Sequence, residues 1–192
     1  MACAAAAGGG GSFFDDFSRP DATALGNGWT TVAGTLRIQS GHARNAQVRM
    51  MHTAVQAGLS GAAQTVSASF ISVDNNLGPR FALFVRYKDP RNYYMCYRQT
   101  GGTSILRISK VVGGVETVLR SYALSNPVPG LPFTLGCQAQ GTTLTVTLGA
   151  VKLAASDATL SSGSVGMSVG YAVAGMRPAS SHIADNFKAT VQ

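Results

Sequence analysis

The stretch from Arg80 to Arg98 reads RFALFVRYKDPRNYYMCYR. Two apolar-aromatic runs, residues 81–87 and 93–97, flank the polar turn Lys88-Asp89-Pro90-Arg91-Asn92. Phe, Val, Tyr and Leu fit a pleated, half-buried surface, so both runs are predicted strands. Pro90 has a fixed φ and no N–H, which places it in the turn. Residues 104–122 repeat the plan as SILRISKVV, Gly113-Gly114 and VETVLRSY. Gly-Gly supplies the positive φ that a tight two-residue hairpin turn needs. Two successive hairpins make a meander, and a one-sided meander buries its apolar face against a second sheet.

Working outward, the same reading predicts strands at 13–17, 35–40, 43–50 and 64–73 before the central hairpins. After them it predicts strands at 133–139, 142–148, 151–155, 164–171 and 183–191. Pro127, Pro129 and Pro132 exclude an interior strand over 125–132. About twelve to fourteen short strands, with no helical periodicity and no βαβ pattern, predict an all-β chain of two packed antiparallel sheets. The expected organisation is one domain, 12–192, behind an Ala/Gly-rich arm, 1–11.

The 192 residues are 45% hydrophobic and only 12% charged, with a formal net charge of +7. The basic residues are scattered, without the stripe or tail of a nucleic-acid protein, so no nucleic acid is expected. No apolar stretch reaches the roughly eighteen residues of a membrane-spanning helix, so no membrane insertion is expected. The opening MACAAAAGGGGS lacks a basic region and an apolar core, so it does not read as a secretory signal. Ala4, Ala5, Ala6, Ala7 and Gly8 form a candidate assembly arm, ordered if another subunit grips it and free if it is only a linker. Cys3, Cys96 and Cys137 are an odd number and define no disulfide framework. Cys96 and Cys137 lie in apolar runs, either as buried thiols or, if their strands are neighbours, as a bonded pair.

Phe14-Asp15-Asp16-Phe17, Trp29 and the Gly34-Thr35-Leu36-Arg37-Ile38 run resemble the opening of concanavalin A-like lectin/glucanase domains. FVRYKDPRNYYMCYR with ILRISKVVGGVETVL is similar to the middle of that group, and SVGMSVGYAVAG followed by IADNFKATV to its close. The likeness spans about residues 12 to 192 and speaks to fold more than to activity. It implies a jelly roll with adjacent first and last strands and a ligand on the concave sheet. It also implies a structural Ca²⁺, for which Asp16 and Asp185 are the candidate ligands together with backbone carbonyls. The alternative is that both carboxylates cap local N–H groups.

Glycosidases of this group use paired carboxylates on one strand, and hydrolysis needs two at a defined separation. Only one of the eight acidic residues is Glu, and Glu116 has no acidic neighbour in sequence. Asp15 and Asp16 are adjacent and point to opposite faces of a strand. The three histidines have no metal-ligand spacing. An enzyme is therefore not expected.

Alternation groups Arg86, Tyr94, Arg98 and Arg107 as a polar, aromatic-relieved face suited to sugar hydroxyls or carboxylates. The bland alternative is a solvated outer sheet with Arg stems lying over apolar neighbours. Trp29 is expected to pack in the core. The reading is a non-catalytic glycan-binding or adhesion module on a surface assembly, extracellular or on a virion, bound to a glycan or another subunit within an oligomer or larger particle. The alternative is a phage virion decoration or tail component attached through the arm, and a glycosidase is the remote third.

Overall fold

A computed structural model describes residues 10–45, 50–73, 78–171 and 182–192. Among these residues every regular element is a strand. The N-terminal part holds β1 (Gly11–Asp15), β2 (Trp29–Ala33), β3 (Leu36–Gln39), β4 (His42–Asn45), β5 (Met51–Gly61) and β6 (Gln64–Ile71). The central hairpins are β7 (Pro79–Asp89) with β8 (Asn92–Gln99), and β9 (Ser104–Val112) with β10 (Val115–Leu124). The chain closes with β11 (Pro132–Gln140), β12 (Thr143–Leu148), β13 (Val151–Ser156), β14 (Gly163–Tyr171) and β15 (Ile183–Val191).

The strands form two antiparallel sheets. The seven-stranded sheet runs β10-β9-β8-β7-β14-β5-β2, so the two hairpins sit side by side as the expected meander. The eight-stranded sheet runs β13-β12-β11-β6-β15-β4-β3, with β1 also pairing with β15. First and last strands are thus adjacent, with Asp15 opposite Phe187. The Gly113-Gly114 turn has φ of 61° and 87°, the conformation a two-residue hairpin demands. Arg91 donates to the Gly113 carbonyl, and Gly114 N–H donates to the Arg91 carbonyl. The two hairpin tips are therefore bonded to one another.

The core lies between the sheets. Phe81, Leu83 and Val85 of β7, Leu106 and Ile108 of β9 and Val165, Met167 and Val169 of β14 line one side. Val66, Ala68 and Phe70 of β6, Leu135 and Ala139 of β11, and Leu144 and Val146 of β12 line the other. Cys96 of β8 and Cys137 of β11 are bonded across this gap, so the pair is a cross-sheet disulfide rather than two free thiols. Trp29 packs edge-on against Phe187 and Phe13, as expected of a core residue, and its Nε1 donates to Asp15 at 2.9 Å. Asp15 also accepts from Arg19, Asn27 and the Phe17 N–H. Burial raises its pKa, but these donors outweigh burial and hold it below the ordinary carboxylate value.

β5, β2 and β7 differ from the sequence expectation, and β1 ends at Asp15, short of the expected 13–17. β5 and β2 carry no clean alternation and are not among the strands expected from sequence. β5 has the composition MHTAVQAGLSG, and its place between β14 and β2 fixes it as a strand. At the end of β7, Arg86 has φ of 50°, and the register with β8 jumps between Val85 and Asp89. This bulge breaks the period of two and sends Arg86 and Tyr87 to the faces opposite those predicted. The candidate arm residues Ala4 to Gly8 lie outside the described residues.

Candidate functional site

The four residues Arg86, Tyr94, Arg98 and Arg107 do not share a face. The bulge turns Arg86 inward, where its guanidinium donates to the carbonyls of Ala62, Leu160 and Gly141 at 2.6–3.0 Å. Three turns are thereby tied to β7, and Arg86 is 3% exposed. Tyr94 is buried with its ring in the core, and its hydroxyl donates to Asp157 Oδ1 and accepts from Leu160 N–H. Asp157 also takes Lys110 Nζ at 2.6 Å. Burial raises the pKa of Asp157, but Lys110, Thr159 and Tyr94 together hold it well below the usual carboxylate range. Arg98 lies over the Phe133 ring and donates to the Ser125 carbonyl, and burial lowers its pKa. Only Arg107 faces outward, because the β8–β9 register sets it opposite Tyr97 and not opposite Cys96. Pairing register and the bulge, neither visible as composition, separate the four.

The metal candidates are also engaged. Asp16 accepts from Ser18 N–H, and Asp185 accepts from Asn186 N–H and lies 3.2 Å from His42 Nδ1. Among the described residues no three His, Cys, Asp or Glu side chains converge. These local bonds are those of the alternative in which each carboxylate caps a neighbouring N–H.

The outer face of the seven-stranded sheet carries a different constellation. Tyr93, Met95 and Tyr97 of β8 alternate outward beside Phe84 of β7, and the bulge adds Tyr87. Phe84, Tyr87, Met95, Tyr97 and Val111 of β9 are all under 8% exposed. Tyr87 stacks on Tyr93 at 5.5 Å, and Phe84 meets Tyr93 edge-on at 5.0 Å. Burial, reinforced by Tyr93 and Asp89, pushes the Tyr87 hydroxyl up to about 12. Burial, then the Glu116 carboxylate, pushes Tyr93 up as well. Both rings stay neutral at physiological pH.

Two clefts open on this face, and Pro90 lines both. The first, about 210 Å³, is lined by Phe84, Tyr93 and Met95 together with Thr53, Arg80 and Glu116. The second, about 390 Å³, runs beside Tyr87 with Val32, Val55, Lys88 and Asp89. Arg80 lies 4.1 Å above the Tyr97 ring and donates to Glu116 Oε2 at 3.3 Å. Tyr97 donates to Glu116 Oε1 and accepts from Arg107. Glu116, the chain's only Glu, is the one carboxylate among the described residues that line the first cleft. The sequence signal for this site is the i, i+2, i+4 set Tyr93, Met95, Tyr97, which marks one face of β8.

No protein-family model and no curated protein matches the chain. Among solved structures, the carbohydrate-binding module CBM66 from Bacillus subtilis is similar with a TM-score of 0.69 at 21% identity, over 84% of this chain and 94% of that one. The CBM2 module of the evolved Dit of Lactobacillus casei BL23 phage J-1 is similar with a TM-score of 0.64 at 12% identity, over 94% and 96%. The beta-glucanase of Bacillus licheniformis is similar with a TM-score of 0.64 at 13% identity, over 95% and 99%. The fold is a concanavalin A-like jelly roll, as the sequence resemblance implies. It is shared by carbohydrate-binding modules and by a glucanase, so the fold does not assign a role.

Proposed function

We propose that this chain is a non-catalytic interaction module that binds glycans through the outer face of its seven-stranded sheet and serves adhesion on a surface assembly. The observation that carries the reading is the aromatic cluster Phe84–Tyr87–Tyr93, set on an outer sheet face beside a cleft with polar groups. Aromatic faces take the C–H surfaces of sugar rings, and a few placed polar groups orient the hydroxyls. The likeness to carbohydrate-binding modules supports the same reading. The single carboxylate in the first cleft favours binding over hydrolysis, which requires an acid and a second carboxylate. Asp89, in the second cleft, is held in the turn by Arg91 N–H and Asn92. The cross-sheet disulfide fits an oxidising, extracellular location. The likeness to a module of a phage Dit favours a second reading, a virion component that contacts host glycans.

A glycan array with the unmodified chain and Tyr93→Ala tests the proposal. Binding to at least one glycan class, lost in the variant, with no reducing ends released on incubation, is the expected result. Release of reducing ends, or binding indifferent to Tyr93, contradicts it.

A further inference from the structure

The first cleft also indicates what kind of glycan it takes. The chain as a whole carries +7, which by itself would favour an acidic polysaccharide. The clefts do not share that bias. Among the described residues each is lined by one cation and one anion, Arg80 with Glu116 in the first and Lys88 with Asp89 in the second. Arg80 is neutralised where it stands, its guanidinium held between the Glu116 carboxylate, Gln99 and the Tyr97 ring. Arg107 stands outside the cleft lining and is turned to Ser121 and the Tyr97 hydroxyl.

The hydrogen-bond directions point the same way. Ser168 donates its one proton to the His52 carbonyl, so Thr53 donates its own to Ser168. The Thr53 oxygen is left with lone pairs only. Glu116 accepts one bond on each oxygen, from Tyr97 and from Arg80, and each oxygen keeps a further lone pair. Thr53 and Glu116 thus offer acceptors beside Arg80, whose Nε–H has no partner among the described residues, so the lining suits a group that both donates and accepts, as a sugar hydroxyl does. A uronate or sulfate brings acceptors and a negative charge against Glu116, whereas a sugar diol brings two O–H donors.

Resting on the glycan-binding reading, we infer that the cleft formed by Phe84, Tyr93, Met95, Thr53, Arg80 and Glu116 selects an uncharged sugar ring through its hydroxyls and rejects acidic glycans. Its volume, about 210 Å³, is below the roughly 300–1,000 Å³ of sites for larger ligands and suits a single ring. The Tyr93 face packs on that ring while Glu116 and Thr53 accept from its hydroxyls.

The test is calorimetry of the full chain against dextran, mannan, xylan and β-glucan oligosaccharides on one side and polygalacturonate and dextran sulfate on the other, in low and high salt. At least one neutral glycan should bind with an affinity that salt leaves unchanged, since no net charge is screened. Glu116→Gln removes the charge and replaces one acceptor oxygen by an NH₂ donor at nearly constant shape. It should weaken that binding about tenfold or more and raise the response to dextran sulfate. Preferential, salt-sensitive binding of the acidic polymers by the unmodified chain overturns the inference and leaves the glycan-binding reading standing. Absence of binding to every polymer overturns both. The salt dependence needs no variant, so a folding defect in Glu116→Gln does not remove the test.

Discussion

The two sheets have very different outer faces. On the eight-stranded sheet, the residues that alternate outward on β6, β11 and β12 are small and polar. Thr65, Ser67 and Ser69 stand opposite Gln138, Gly136 and Thr134, and Thr145 and Thr147 continue the surface on β12. That is the ordinary alternation of a half-solvated antiparallel sheet. On the seven-stranded sheet the corresponding positions hold Phe84, Tyr87, Tyr93, Met95, Tyr97 and Val111. A stable sandwich needs apolar residues only on its inner faces, as the Ser/Thr face demonstrates within the same molecule. The aromatic face thus exceeds what the fold requires, and contact with a ligand is the use we assign to the excess.

The contrast can be broken at several points. Removing the cross-sheet disulfide with Cys96→Ala and Cys137→Ala undoes the link common to both faces. The closed loop spans a separation of 41 residues, so the loss in chemical denaturation should be about 4 kcal/mol. Phe84→Ala probes whether the outer aromatic cluster acts as a second core. At 4% exposure it should cost about 3 kcal/mol in urea, the figure for a buried ring, although it lies outside the sandwich. Tyr93→Ala should lower glycan affinity about tenfold, or ~1.4 kcal/mol, in titration calorimetry. The matching change on the other face, Thr65→Ala, should stay within about 0.5 kcal/mol in stability and leave glycan affinity unaltered.

The acid limb of stability distinguishes the end of the sandwich from both faces. Asp157 has a folded pKa below its unfolded value, so its contribution is fully present above about pH 4 and is lost as pH falls through the folded pKa. Asp157→Asn should flatten the fall of melting temperature below pH 4 relative to the unmodified chain.

Much of the fold is legible in the sequence, because the central hairpins and the closing strand Ile183–Val191 announce themselves by alternation and by turn residues. β5 is not legible, since Gly58, Gly61 and Ala57 dilute its pattern and only its neighbours define it. The binding face is half legible. Tyr93, Met95 and Tyr97 are aligned by spacing alone, whereas Tyr87 joins them only through the bulge at Arg86. Arg86 and Arg98 mislead for a physical reason. An arginine reads as a surface residue, yet three backbone carbonyls around one and the Phe133 ring beneath the other make burial tolerable.

The most direct measurement is an NMR titration of the chain with a bound neutral oligosaccharide, following aromatic and methyl signals on both outer faces. The account predicts shifts at Phe84, Tyr93, Met95 and Met51, with Thr65, Thr145 and Thr147 unmoved. Shifts confined to the Ser/Thr face would contradict it.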